Sequence, residues 1–414
     1  MSGKKILILT ASHLCRNPRV VKEATTLGAA GYEVTVMSVS MQERFRQMDL
    51  ALLRDLPFRC EVIDYAGNTP GVRVASFLQR SATWVARQVC RMLKIETAQS
   101  LGPAGALLAF ARSHPADLTI VHTEIPIWAA QTLLRDGRRV AVDVEDWYSE
   151  DLLFADRRSR PLRLLRQAER FVLQHATYAS ATSDSMAAAL ADAYGCPRPI
   201  VLRNTFPLQP TSRPDRSAGD APPSFIWFSQ TVGPGRGLEL FFSAWAKTKN
   251  PSHVYLLGDV RPDYRQHLVS RLPESRRADV RFIPLVSPDE LPLKLAEFDL
   301  GLALEPHWPR NRDITITNKI TQYLNAGLAI IATDTAGQCE VMHAAPDCGL
   351  LIQAHETTRL AAQLDALIGD RDRLRACQLA ARAAAVTQFN WAHAAPRLLT
   401  AVDRALAAPI VRPD

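Results

Sequence analysis

Thr317-Asn318-Lys319-Ile320-Thr321-Gln322-Tyr323-Leu324-Asn325-Ala326-Gly327, running on into Leu328-Ala329-Ile330-Ile331-Ala332-Thr333-Asp334, decides the fold. It reads as a short helix, a glycine stop and a buried strand. Thr317 is placed to cap the helix and Gly327 to end it. Lys319 falls in the first turn, where the helix macrodipole disfavours a cation. Its presence there implies something anionic between the lysine and the helix end. A helix N-terminus has unpaired N–H groups and partial positive charge, which suits a phosphate. On these residues alone, a solvent-facing lysine is the plainer alternative.

The same alternation extends in both directions. Strand-like runs at 5–9, 33–38, 116–121, 139–144, 178–181 and 200–202 are separated by helical patterns at 19–30, 128–136, 163–176 and 185–193. Residues 207–223 then hold five prolines and no apolar period, the composition of a linker. Beyond it, strands at 224–228, 254–257, 280–283 and 300–304 alternate with helices at 237–248, 264–272 and 289–296. Helices at 357–368, 372–386 and 392–406 close the chain. This predicts an α/β protein of two doubly wound, Rossmann-like domains, 1–207 and 224–391, joined by a linker at 208–223. Ligands of open parallel sheets bind at the carboxyl ends of the strands, so a cleft between the two domains is the expected site.

Composition excludes several classes. No apolar run reaches eighteen residues, so no transmembrane helix is expected. Met1-Ser2-Gly3-Lys4-Lys5 has the charge of a signal peptide, but Ile6–Leu9 is too short an apolar segment for one. The seven cysteines are scattered, with no Cys-x-x-Cys pair, so neither a zinc site nor a disulfide framework follows. A cytoplasmic location is the default. The net charge of +7 is concentrated in two places. Residues 73–94 carry Arg73, Arg80, Arg87, Arg91 and Lys94 with no acid, and residues 157–170 carry six arginines against Glu169. Apolar side chains interleave with these cations at helical spacing. That suits helices lying on an anionic membrane, with the protein peripheral on its inner face. No nucleic-acid motif accompanies the charge. Two ordinary solvated helix faces remain the alternative.

Candidate chemistry clusters at strand ends. Gly233-Pro234-Gly235-Arg236-Gly237 lies between a strand and a helix. Its glycines let backbone approach a diphosphate, and Arg236 can pair with the phosphate oxygens. The spacing is not that of a dinucleotide fingerprint, and a plain turn with a surface arginine fits too. Asp143-Val144-Glu145-Asp146-Trp147-Tyr148-Ser149-Glu150-Asp151 puts five carboxylates after a strand, where they can orient sugar hydroxyls or act as a base. A solvated acidic loop is the other reading. His122 also ends a strand, although a lone histidine is usually structural. The only Asp-x-Asp, Asp370-Arg371-Asp372, falls between C-terminal helices and reads as a cap, so no metal site is expected. Neither a Gly-x-Ser-x-Gly elbow nor a Walker A loop occurs.

Taken together, these residues resemble the family-4 retaining glycosyltransferases of the GT-B fold. The resemblance is carried by Arg16-Asn17-Pro18-Arg19-Val20-Val21-Lys22-Glu23-Ala24 and Gly31–Val36, by Val201-Leu202-Arg203-Asn204, by Gly233–Glu239, by Asn318–Gly327 and by Phe389-Asn390-Trp391. It implies a nucleotide diphosphate sugar held by the second domain and a glycan or lipid-linked acceptor held by the first, in cell-surface polysaccharide synthesis. It implies no cofactor and no metal. It also sends the last helix, 392–408, back onto the first domain. Arg236 matches the family's phosphate-binding lysine, and Lys319 would sit beside the diphosphate. Gln230, Gly233, Gly235, Thr317, Asn318, Gln322 and Glu340 would surround the donor, with Glu340 in the loop after the donor-site helix and strand. Glu145 falls where many members have a histidine that contacts the donor sugar. Arg16, His122 and Asp146 are the acceptor-side candidates. Three positions depart from the pattern: Gln230 replaces an arginine, Gln322 a ribose-binding glutamate, and Glu145 the histidine. Gln322 retains hydrogen-bonding capacity without charge. Two competing readings follow: a catalytically idle nucleotide-sugar-binding module, and a GT-B sugar-nucleotide epimerase.

Overall fold

The computed structural model describes residues 3–54, 56–210, 221–353, 357–410 and 412–413. Contact density divides the chain into two units. One runs to Leu202 and resumes at Ala395, and the other is Arg203–Ala394. The linker expected at 208–223 falls largely on 211–220, outside the described residues.

The first unit is built from β1 (Lys5–Leu9), α1 (Pro18–Ala29), β2 (Glu33–Ser40), α2 (Glu43–Leu52), β3 (Arg59–Asp64), α3 (Pro70–Leu93), α4 (Ala104–Ser113), β4 (Leu118–His122), α5 (Glu124–Arg135), β5 (Val140–Val144), α6 (Phe154–Arg157), α7 (Leu162–His175), β6 (Ala179–Ala181), α8 (Asp184–Tyr194) and β7 (Ile200–Val201). Its seven strands lie in the order β3-β2-β1-β4-β5-β6-β7, all neighbours parallel. β1 sits centrally, with Ile6 opposite Val34 on one side and Leu118 on the other. Its apolar run has no polar alternation because helices cover both faces of the sheet.

The second unit contains β8 (Ser224–Val232), α9 (Leu238–Trp245), β9 (His253–Val260), α10 (Pro262–Val269), β10 (Val280–Ile283), α11 (Leu291–Leu295), β11 (Leu300–Ala303), α12 (Arg310–Ile314), α13 (Asn318–Ala326), β12 (Ala329–Thr333), α14 (Ala336–Ala344), β13 (Gly349–Ile352), α15 (Thr357–Ile368) and α16 (Arg371–Thr387). Its parallel sheet has the order β10-β9-β8-β11-β12-β13. Side chains of β8 alternate between two cores. Phe225 and Trp227 pack with Phe241, Phe242 and Trp245, whereas Ile226 and Phe228 pack with Tyr323 and Ile330.

The last helix, α17 (Trp391–Ala407), starts in the second unit and from Ala395 belongs to the first. There the Tyr32 hydroxyl donates to Asp403, and the Arg139 guanidinium donates to the Ala408 carbonyl at 2.8 Å.

Several expectations change. β3, α2, α4, α14 and β13 were not expected at all. The helix expected at 128–136 begins at Glu124, because the chain turns into it directly from β4. Glu340 lies not in a loop but within α14. Asp370 does act as a cap, accepting from the Arg373 N–H at 2.9 Å. All seven cysteines are free thiols.

Candidate functional site

The carboxyl end of the second sheet gathers most of the expected donor-side residues. β8 becomes irregular between Phe228 and Thr231, which places the half-buried Gln230 at its end. The turn beyond it carries Gly233, Gly235 and Arg236. Gly237 then caps α9 with φ +75°, and a Cβ there would stand 2.9 Å from Leu304 Cβ, so the turn closes tightly only with glycine. The Arg312 guanidinium donates to the Gly235 carbonyl at 2.7 Å and ties α12 to this turn.

β11 delivers Glu305, a residue not anticipated from the sequence. It is 1% exposed, and it receives the buried Lys319 ammonium on Oε1. Arg236 Nη1 lies 3.7 Å from Glu305 Oε2. Lys319 also lies over the Trp227 ring, 5.5 Å from its centroid. The anion implied by a lysine in the first turn of α13 is therefore a protein carboxylate. Burial lowers the Lys319 pKa, Glu305 opposes that shift, and Arg236 and Arg312 add to it. Lys319 and Arg236 thus share one carboxylate, and Arg312 is near enough to act on Lys319, leaving positive potential at a helix N-terminus.

α13 starts at Asn318 with Thr317 in the N-cap position, but the Thr317 side chain makes no capping bond. Thr317 Oγ1, Gln322 Oε1, Thr335 Oγ1 and Gln338 Oε1 are buried and have no hydrogen-bond partner. Buried polar atoms are usually paired, so these four, at the starts of α13 and α14, are open to further polar contacts. Thr333 fixes the neighbouring backbone: it receives the Glu305 N–H at 2.9 Å, donates to the Glu305 carbonyl at 2.7 Å and accepts from Gln338 Nε2 at 2.8 Å. Asn204 holds the chain before α13 by donating to the Ile316 carbonyl at 3.1 Å. Glu305 could have been found by the positional argument applied to His122, since it too ends a strand.

The first unit carries a second charged cluster. Asn17 caps α1 by accepting from the Val20 N–H at 3.2 Å, and its amide donates to Glu145 Oε1 at 2.7 Å. Arg19 grips both oxygens of Asp143 at 2.9 and 2.8 Å and donates to the Leu202 carbonyl at 2.7 Å. His122 Nε2 and Glu23 Oε2 are 2.5 Å apart, and His122 Nδ1 is 3.8 Å from Glu145 Oε1. Burial alone would lower the His122 pKa, but Glu23, with Glu145 and Asp143, reverses this and raises it to about 10. Burial would raise the Glu145 pKa, and His122, Arg19 and Asn17 together bring it below its ordinary value. Flanked by carboxylates, His122 is held toward its protonated form and Glu145 toward its ionised one. The acidic loop is accordingly not a free solvated run. Asp143 and Glu145 are held as described, and Glu150 pairs with Arg166 at 2.7 Å and Arg157 at 3.5 Å. Asp146 is half-buried in the same loop. Arg16 is exposed, 4.8 Å above the Phe45 ring.

Among the described residues, Glu23, His122 and Asp143 place ligand-type atoms close enough to share a metal. In this structure they form buried ion pairs: Asp143 is held by Arg19, and Glu23 faces His122.

Two parallel doubly wound units, the second with cations at a helix N-terminus on its carboxyl edge, have the architecture of the GT-B class. The chain belongs to the family-4-type glycosyltransferases of the GT-B fold: the Glycosyl transferase 4-like domain matches residues 17–205, and the Glycosyl transferases group 1 domain matches 222–370. It is 34% identical over 146 residues to D-inositol 3-phosphate glycosyltransferase of Nocardia farcinica, a match spanning 35% of this chain and 30% of that relative. Two solved structures share the fold over nearly the full length of both chains. Anabaena HepE in complex with UDP and glucose has a TM-score of 0.68 at 17% identity, covering 97% of this chain and 100% of that one. Sucrose-phosphate synthase from Thermosynechococcus elongatus has a TM-score of 0.73 at 12% identity, covering 98% and 100%.

Proposed function

We propose that the chain is a retaining glycosyltransferase that moves a sugar from a nucleotide diphosphate sugar to a hydroxyl of a glycan or lipid-linked acceptor, in cell-surface polysaccharide synthesis at the cytoplasmic side of a membrane. Donor binding is assigned to 224–391 and acceptor binding to 1–207. The observation that carries this reading is the convergence of Lys319, Arg236 and Arg312 on the first turn of α13, beside buried polar atoms without partners. The nucleotide and sugar in the complexes of the similarly folded Anabaena protein make UDP-glucose the first donor to try.

In this mechanism, Arg236, Lys319 and the α13 N–H groups stabilise the charge that develops on the departing diphosphate. Thr317, Asn318, Gln322 and Gln230, with the backbone at Gly233 and Gly235, orient the nucleotide. Glu145 contacts the donor sugar as a carboxylate, Arg16 and Asp146 serve the acceptor side, and His122, fully buried, acts there only by holding Glu145. The acceptor hydroxyl attacks from the face the phosphate leaves, which retains configuration. The side-chain cations take the role a metal would have, and no cofactor takes part.

A thermal-shift panel of nucleotide diphosphate sugars tests donor binding. A donor at 100 times its Kd stabilises the protein by about 2.7 kcal/mol. Turnover of that donor, dependent on a lipid-linked acceptor, then separates a transferase from an idle module or an epimerase. No stabilisation by any nucleotide sugar would overturn the proposal.

A further inference from the structure

We propose that the outward face of α3 is a docking surface for an anionic lipid bilayer, with the helix lying in the membrane plane. This does not rest on the transferase reading, because α3 is remote in sequence from every donor-side residue and its argument uses none of them.

α3 is 24 residues long, yet only Ser76 and Cys90 are fully buried. Phe77 is 70% exposed, Trp84 64% and Met92 75%, and Val74, Leu78 and Val85 are at least half exposed. Steps of three, four and seven residues put these six on one helical face, interrupted only by Ser81 and Gln88. A soluble helix turns such a face inward. Here the face toward solvent is the apolar one, and a large exposed apolar patch marks an interaction site.

Charge selects the occupant. Arg73, Arg80 and Arg87 recur every seven residues along one border of the apolar face, with Arg91 on the same side and Lys94 just beyond the helix. The helix has no acid. Arg87 is partly engaged, donating to the Ser100 carbonyl at 2.9 Å, and Arg80 donates to the Met41 carbonyl at 3.0 Å. These bonds fix the helix to the unit with its apolar side outward. Arg73 and Arg91 are exposed. A second copy of α3 would set arginine row near arginine row with no carboxylate on either helix. Lipid phosphates supply that missing charge, and acyl chains take up the aromatic side chains. Among the described residues no helix is long and apolar enough to cross a membrane, so α3 lies on the bilayer rather than through it.

The segment 157–170 contributes less than its composition suggested. Arg160 pairs with Glu124, Arg157 and Arg166 with Glu150, and Arg170 donates to the Tyr194 and Ala193 carbonyls. It does adjoin α3, because the Cys90 thiol donates to the Arg160 carbonyl at 3.5 Å and the Leu164 N–H donates to Glu96 at 2.7 Å. The exposed Arg158 and Arg163 extend the basic border there.

The test uses the full chain with vesicles of phosphatidylcholine alone or mixed with phosphatidylglycerol. Co-sedimentation should require phosphatidylglycerol and fall steeply in 1 M salt, where the screening length is about 3 Å. Arg73→Glu with Arg91→Glu, and separately Phe77→Glu with Trp84→Glu, should each lower the bound fraction by about tenfold or more. Brominated lipid should quench a component of tryptophan fluorescence that Trp84→Phe removes. Unchanged melting temperature, and unchanged stabilisation by UDP-glucose where the wild type shows it, confirm that the variants are folded. Binding that ignores lipid charge, variants that bind as the wild type does, or a solution dimer that Trp84→Glu dissociates would each overturn the proposal.

Discussion

Replacing Glu305 with glutamine tests the construction of the donor site most directly. The substitution keeps shape and removes one charge. In the wild type, Glu305 is 1% exposed and Lys319 8%, and the two are joined directly. Glu305→Gln leaves a buried ammonium beside Arg236 and Arg312 with no counter-charge. Breaking a buried pair in this way costs about 3–5 kcal/mol. The second unit has about 190 residues. A unit of that size shifts by about 2–4 °C per kcal/mol, so its melting transition should fall by roughly 6–20 °C. Two further readings separate this cause from general damage. The penalty should shrink as pH rises, because Lys319 has a lowered pKa and escapes by losing its proton. The double variant Glu305→Gln/Lys319→Met, with neither charge, should recover most of the loss. Calorimetry across pH 7–10 measures all three. A single variant within about 0.5 kcal/mol of the wild type would refute the reasoning, since that is the range of an inconsequential surface change.

Arg236→Ala and Lys319→Ala should each lose roughly 2–4 kcal/mol of transition-state stabilisation, read as kcat/KM, and wild-type values in both would remove these residues from the mechanism. Activity should persist in EDTA, and a strict requirement for added Mg²⁺ or Mn²⁺ would contradict the side-chain account of leaving-group charge. Glu169, buried in the first unit, accepts from Tyr194 at 2.6 Å and from the Ser149 N–H at 3.0 Å, yet burial raises its pKa to about 7. Its folded pKa therefore exceeds the unfolded one, so its contribution is full below about pH 4.5 and is lost as pH rises through about 7, on the order of 3 kcal/mol in total. Glu169→Gln should flatten that part of the stability–pH curve measured by urea unfolding, and an unchanged slope would show that the carboxyl is not its source.

The central strands were legible because a parallel sheet covered on both faces leaves uninterrupted apolar runs such as Ile6–Leu9 and Ala329–Ala332. β3 escaped notice because it is an edge strand whose Arg59, Glu61 and Asp64 break any apolar run. α14 carries Gly337 and little apolar period, so Glu340 was placed in a loop. At the site, the lysine in the first turn of α13 signalled a nearby anion by elementary electrostatics. Its identity was hidden, because Glu305 comes from another strand end fourteen residues away and only the fold brings it to Lys319. In the acidic stretch 143–151 two readings stood open, and the solvated one gives way only because Arg19, Asn17 and Arg166 arrive from elsewhere to hold three of the five carboxylates.

The path of α17 bears on how the protein is made. The first unit lacks its closing helix until residues from Ala395 onward have left the ribosome. At about 5–20 residues per second, the intervening stretch of some 190 residues takes roughly 10–40 s to synthesise. Throughout that interval the surface around Tyr32 and Arg139 waits uncovered. The second unit can close on itself just before that interval ends, because the Trp391 N–H reaches the Phe206 carbonyl at 2.9 Å and brings its two ends side by side. Completion during translation therefore runs out of order: the domain begun first is finished last.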